Sequence, residues 1–75
     1  MNKEEFFNQI ADVMQSDDPI NENTSLNEME QWDSLTFLGV ISFFDMELSL
    51  NITSEDLHKV KTAADLLSLT AGKVE

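Results

Sequence analysis

The stretch from Ser34 to Leu48 places the strongest constraint on how this chain folds. Its apolar residues recur at the three- and four-residue spacing of a helix face, and no proline interrupts them. A surface helix of a small domain usually carries one apolar stripe, but this stretch has enough apolar residues for two. The stripe suited to a core comprises Phe37, Val40, Ile41, Phe44 and Leu48. A second apolar surface, next to Ser34, comprises Leu35, Leu38 and Met46. This helix is therefore predicted to begin at Asp33 or Ser34, to end near Leu48, and to offer a surface to partners.

Three other segments are predicted to be helical. A first helix runs from about Lys3 to Gln15, and its buried face comprises Phe6, Phe7, Ile10, Val13 and Met14. A short third helix runs from Ser54, as its N-cap, to Val60. The last helix follows Thr62 as N-cap, with Asp65 three residues on as a variant of the capping box, and ends at Gly72.

The connection between the first two predicted helices is long, and its turn-forming residues include the only proline of the chain. Apolar anchors within it should hold it against the core, namely Ile20, Leu26, Met29 and Trp32. No segment alternates with the period of a strand. The sequence thus predicts a single domain over residues 1–75, all-α, as a small four-helix bundle with a long first loop and a short third helix.

The charge of the chain is strongly one-sided. Fifteen acidic residues against four Lys and Arg give a net charge of −11, and no basic residue lies between Lys3 and Lys59. Such a surface repels nucleic acids and anionic membranes but attracts basic patches on proteins. Carboxylates of this kind also serve simply to keep a small protein soluble. There is no cysteine, no signal-peptide pattern and no apolar run of membrane-spanning length, so a cytoplasmic monomer is expected.

Two kinds of chemistry are disfavoured by the sequence. A serine nucleophile needs a base and an oxyanion hole, and a single histidine, His58, gives little basis for a triad, so we do not expect an enzyme. The acidic loop 17–23 lacks the glycine of an EF-hand and is interrupted by Pro19, so no dedicated metal site is expected. A carboxylate-based metal buffer is the least favoured alternative.

Asp33 and Ser34 suggest a different role. Asp33 is a good N-cap, and a phosphodiester on the Ser34 hydroxyl would be favoured by the free amides and dipole at a helix start. Mg²⁺ commonly bridges phosphates and one or two carboxylates, which gives Asp33 a second use. The simpler interpretation is a cap followed by a small residue. The long loop, the spare apolar surface and the surrounding acids together favour a modification site.

These residues resemble a known family. Trp32-Asp33-Ser34-Leu35 is similar to the Asp-Ser-Leu attachment motif of acyl and peptidyl carrier proteins, and Ile52-Thr53 and the segment 60–67 follow in that family's order over nearly the whole chain. The resemblance implies that a phosphopantetheinyl transferase, using Mg²⁺ during attachment, moves the 4′-phosphopantetheine arm of coenzyme A onto Ser34. The arm then carries an acyl or aminoacyl thioester between enzymes of fatty-acid or specialised biosynthesis.

The resemblance also implies where partner enzymes with basic patches bind. Asp33 lies beside the attachment point, and the resemblance points to Leu35, Leu38, Asp45, Glu47, Glu55 and Asp56 as partner-binding residues. Met46, from the second apolar surface, is expected to join them. Gly39 would permit close approach of a partner backbone. Phe37, Phe43 and Phe44 are bulkier than the usual residues of the family and would crowd an acyl cavity, and Trp32 is more typical of stand-alone carriers of specialised pathways. The alternative is a non-covalent acidic adaptor that binds partners through Leu35, Leu38 and Met46.

Overall fold

Side-chain caps determine where the helices of this protein begin. The computed structural model describes residues 1–75 and contains four α-helices and no sheet: α1 (Lys3–Met14), α2 (Ser34–Leu48), α3 (Ser54–His58) and α4 (Ala63–Ser68). Each follows a residue whose side-chain oxygen accepts a first-turn amide, which stabilises a helix by about 1 kcal/mol. These N-caps are Asn2, Asp33, Thr53 and Thr62. The all-α prediction is therefore confirmed, and the predicted bounds of α1 and α2 agree with the structure to within one residue.

The last two helices differ from their predicted bounds. Thr53, not Ser54, caps α3, because Thr53 and Asp56 exchange two hydrogen bonds in a capping box. Helix α3 ends at His58 and not at Val60. Helix α4 ends at Ser68 and not at Gly72, and the residues after it form turns in which Gly72 has a φ of 81°.

The predicted capping box of α4 is confirmed. The Asp65 carboxylate accepts hydrogen bonds from the backbone N–H groups of Lys61 at 3.0 Å and Thr62 at 3.2 Å, and Thr62 Oγ1 accepts one from the Asp65 N–H. These two hydrogen bonds, the one from Lys61 with the larger effect, hold the pKa of Asp65 below its usual range. Because folding lowers the pKa of Asp65, its ionised carboxylate stabilises the folded state at pH values above the pKa of Asp65 in the unfolded chain. This stabilisation is lost as the pH falls through the pKa of Asp65 in the folded chain.

The long connection between α1 and α2 is held in place along its length. Ile20 and Leu26 are buried in the core, and Met29 and Trp32 pack against it half-buried, as predicted. A short 3₁₀ helix, Leu26–Glu28, forms within it and was not predicted. Backbone hydrogen bonds join the connection to the start of α4, and Ser25 forms an isolated antiparallel bridge with Thr62. The middle of the connection is thus joined to the start of α4.

The core lies around the buried face of α2, which packs against α1 and α3. Phe44 has no exposed surface, and its ring lies 6.0 Å, between centroids, from each of Phe6 and Phe43. The predicted core of α2 is confirmed for four of its five members, whereas Ile41 is only half-buried. Beyond the end of α2, the ammonium of Lys73 donates a hydrogen bond to the Leu48 carbonyl at 2.8 Å. The core and these terminal contacts together set the position of α2.

Gly39 allows close approach of α1 to α2. A Cβ atom at Gly39 would lie 2.8 Å from Cγ1 of Val13, which is shorter than carbon atoms tolerate. The prediction that Gly39 admits a partner backbone is therefore corrected. The space left by the absent side chain is taken by Val13 of the same chain.

Gly39→Ala is expected to lower the free energy of unfolding by about 1 kcal/mol. Alanine gains roughly 1 kcal/mol in helix propensity, but overpacking against Val13 costs about 1–3 kcal/mol. In a Val13→Ala background the clash is absent, and the same change should be stabilising. Urea unfolding of the four chains measures both effects. An equal gain in the two backgrounds would show that Val13 does not limit the space at Gly39.

Candidate functional site

The Ser34 hydroxyl lies at the first residue of α2, and the side chain is exposed. Asp33, also exposed, caps the helix: its carboxylate accepts a hydrogen bond from the Thr36 N–H at 2.9 Å, and its carbonyl accepts one from Phe37. The hydroxyl of Ser34 forms no hydrogen bond within the chain. It is therefore free to react and accessible to another protein.

The start of α2 is suited to an anion. The caps from Asp33 satisfy the amides of Thr36 and Phe37, which leaves the N–H groups of Ser34 and Leu35 without an acceptor in the chain. These groups also form the positive end of the helix dipole. A phosphate bonded to Ser34 Oγ would lie next to two free donors.

An exposed apolar patch begins next to Ser34, on the outer face of α2. Its three members were predicted to lie off the core face, and the exposed fractions are 78% for Leu35, 65% for Leu38 and 77% for Met46. The Ser42 hydroxyl, between them, donates a hydrogen bond to Met46 Sδ at 3.7 Å. All three lie on the outer side of α2, and exposed apolar side chains on one side of a helix are a candidate surface for binding other molecules.

The acidic residues predicted to bind partners do not lie together on one surface. Asp45 follows Leu38 by seven residues, two helical turns, and so lies on the patch side of α2. Glu47 is exposed, but at about 100° per residue it lies roughly 180° around the helix from Leu38. Glu55 is exposed in the first turn of α3. Asp56 is half-buried, and its carboxylate accepts the Thr53 N–H at 3.0 Å, so it is already engaged.

A surface cleft of about 310 Å³ opens beside Ser34, where the loop, α2 and α3 meet. Besides Ser34 and Asp33, it is lined by Asn27, Trp32, Phe37, His58 and Val60. Asn27 was not predicted to lie at the site, and His58 was considered there only as the base of a triad, which was not expected. No local signal was available, because these residues are far apart in the chain and only tertiary packing brings them together. A second cleft, of about 250 Å³, lies between the end of α1 and Leu35, and Asp33 lines both.

Aromatic rings form one wall of the cleft beside Ser34. The Phe37 ring meets Trp32 edge-on at a centroid distance of 5.1 Å and His58 at 4.9 Å. No side-chain hydrogen bond joins His58 to Ser34 or Asp33. The Trp32 indole N–H is buried and has no acceptor.

Two further findings concern metals and membranes. No group of three or more His, Asp or Glu side chains comes together in a way that would hold a metal ion. None of the helices combines the length and apolar character needed to cross a bilayer.

Comparisons with protein-family profiles, curated proteins and solved structures found no match to this chain.

Proposed function

We propose that this protein is an acyl or aminoacyl carrier whose Ser34 bears a 4′-phosphopantetheine arm. The observation that carries the proposal is the free, exposed hydroxyl at the start of α2, beside two unpaired amides. The Asp-Ser-Leu motif, in its order along the chain, supports the same assignment. So does the arrangement of α2 between α1 and α3, which fits the small four-helix bundle of carrier proteins.

Attachment requires little from this chain beyond presentation of the hydroxyl. A phosphopantetheinyl transferase would join Ser34 Oγ to the phosphorus that bears pantetheine, with loss of the serine proton and departure of the nucleotide part of coenzyme A. The N–H groups of Ser34 and Leu35 would then face the new phosphodiester. Asp33 is exposed and adjacent, so its carboxylate is available to Mg²⁺ during the transfer.

The arm supplies the one functional group that the chain lacks. The sequence contains no cysteine, so the terminal thiol of a bound arm would be the only thiol in the molecule and the unique point for a thioester. The protein itself then carries the cargo and performs no catalysis. This role is consistent with a cleft in which Ser34 and His58 share no hydrogen bond.

Partner enzymes would bind the surface that surrounds the attachment point. Leu35, Leu38 and Met46 supply exposed apolar contacts, and Asp33 and Asp45 place negative charge beside them. With a net charge of −11, the whole chain attracts enzymes with basic patches and repels nucleic acids and anionic membranes. We propose a cytoplasmic monomer that meets its partners transiently.

The exposed patch also supports a second candidate, a non-covalent acidic adaptor. An adaptor would use Leu35, Leu38 and Met46 to bind a partner and would need nothing from Ser34. The free hydroxyl and the unpaired amides have no role in that function. The carrier accounts for both the patch and the serine and is therefore preferred.

A thiol titration tests the proposed function directly. The unmodified chain has no thiol, so incubation with coenzyme A, Mg²⁺ and a broad-specificity phosphopantetheinyl transferase should create one thiol per chain. Intact-mass measurement should show addition of one phosphopantetheine at the same time. A chain left without a thiol and without added mass would refute the proposal.

A further inference from the structure

We infer that the cleft beside Ser34 accepts a short acyl group bearing a hydroxyl or amino substituent, and not a long alkyl chain. The inference rests on the proposed carrier function and assigns a class of cargo to it. It depends on how the interior is filled and on which side chains line the cleft.

The interior offers no space for a long chain. Phe6, Val40, Phe44, Leu57 and Leu66 have no exposed surface, and the two clefts of the structure are both open at the surface. A protein interior is packed as densely as an organic crystal, so a long alkyl chain would have to displace these side chains. Left on the surface, most of its methylene groups would remain exposed to water.

The cleft combines an apolar floor with a polar rim. Phe37 and Val60 are each 3% exposed and form the floor. Asn27 and His58 are exposed, and their side chains form no hydrogen bond within the chain. The carbons of a short acyl group fit the floor, while its substituent reaches an amide or imidazole with free hydrogen-bonding capacity.

The size and charge of the cleft agree with this class of cargo. Its volume, about 310 Å³, lies at the lower end of the range of small-molecule sites, roughly 300–1,000 Å³. Asp33 also lines it, and that carboxylate favours an ammonium group. A hydroxyacyl and an aminoacyl group share the same hydrogen-bonding chemistry, so experiment must distinguish them.

Thioester protection provides the test. The transferase moves acyl phosphopantetheine onto Ser34 from 3-hydroxybutyryl-, 3-aminobutyryl-, butyryl- or octanoyl-coenzyme A, with departure of the nucleotide, and intact mass confirms attachment. The rate of thioester cleavage by hydroxylamine is then divided by the rate for the same thioester on free pantetheine. We expect a hydroxy- or aminobutyryl group to be cleaved roughly twofold to tenfold more slowly than butyryl, as the loss of a hydrogen bond implies. The group that is protected identifies the cargo.

Rim variants assign the protection to the cleft. Asn27→Ala and His58→Ala should each reduce it, whereas Asn23→Ala, an exposed asparagine outside the cleft, should not. Octanoyl protected more strongly than both substituted groups would overturn the inference and leave the carrier function intact. Protection that neither rim variant reduces would also overturn the inference. Hydroxybutyryl and aminobutyryl thioesters that are cleaved as fast as butyryl would do the same. A chain that accepts no thioester at all would overturn the carrier function and this inference together.

Discussion

Ser34→Ala is expected to abolish attachment of phosphopantetheine completely. The Ser34 hydroxyl is the exposed one at the first residue of α2, and alanine removes it without disturbing the cap, which Asp33 provides. Stability should stay within about 0.5 kcal/mol of the parent, as is usual for an exposed position. Intact mass and thiol titration after incubation with the transferase measure the loss.

Ser42→Ala is the matched control for Ser34→Ala. Ser42 is another exposed serine of α2, and it lies among the residues of the apolar patch, but it is in the helix interior and away from the free amides. The Ser42 variant should gain one thiol and one arm, as the parent does. Added mass that survives Ser34→Ala would contradict the assignment of the attachment site.

The same variant separates the carrier from the adaptor. A carrier without Ser34 is inactive in its native cell, whatever the state of its surface. An adaptor without Ser34 keeps its activity but loses it on Leu38→Asp, which puts a charge in the middle of the apolar patch. Full activity of the Ser34→Ala chain would decide in favour of the adaptor.

Phe44→Ala should lower the free energy of unfolding by about 3–5 kcal/mol, as buried Phe-to-Ala changes commonly do. Phe44 is fully buried and contacts two other aromatic rings, so truncation leaves a cavity at the centre of the α1–α2 packing. A domain of 75 residues has a total stability of about 4–11 kcal/mol at typical values per residue. The variant is therefore expected to lose a large part of its total stability. Urea titration followed by circular dichroism measures the loss.

Met46→Ala is the control for Phe44→Ala, since it truncates a large side chain of the same helix that is 77% exposed. Its effect should remain within about 0.5 kcal/mol. Equal losses for the two variants would mean that the predicted core face of α2 does not stabilise the fold.

Much of the fold was predictable because its determinants are local. The apolar spacing of α1 and α2 set their bounds, and Asp33 and Thr62 were identifiable as caps from the residues that follow them. The N-terminus of α3 was misassigned because Thr53 and Ser54 are both good caps, and only Thr53 has its partner, Asp56, three residues on. Helix α4 was predicted too long because Gly72 marks a later turn and not the end of the helix.

The site was predictable only in part, because only some of its determinants are local. Ser34, Asp33 and the patch follow from one helix and its cap, which the sequence encodes over a few residues. The contribution of Asn27 and His58 depends on packing between the loop, α2 and α3, which no local pattern specifies. Glu47 was expected to bind partners because of the family resemblance, although helical geometry places it on another side of α2 from Leu38.

The buried indole of Trp32 affects how the segment before Ser34 moves. A buried donor without an acceptor regains a hydrogen bond when it meets water, so this group favours local opening of its segment. The backbone two residues ahead of the serine should therefore fluctuate more readily than the capped helix that follows it. Under the proposed function, the transferase would approach Ser34 between this segment and the capped first turn of α2.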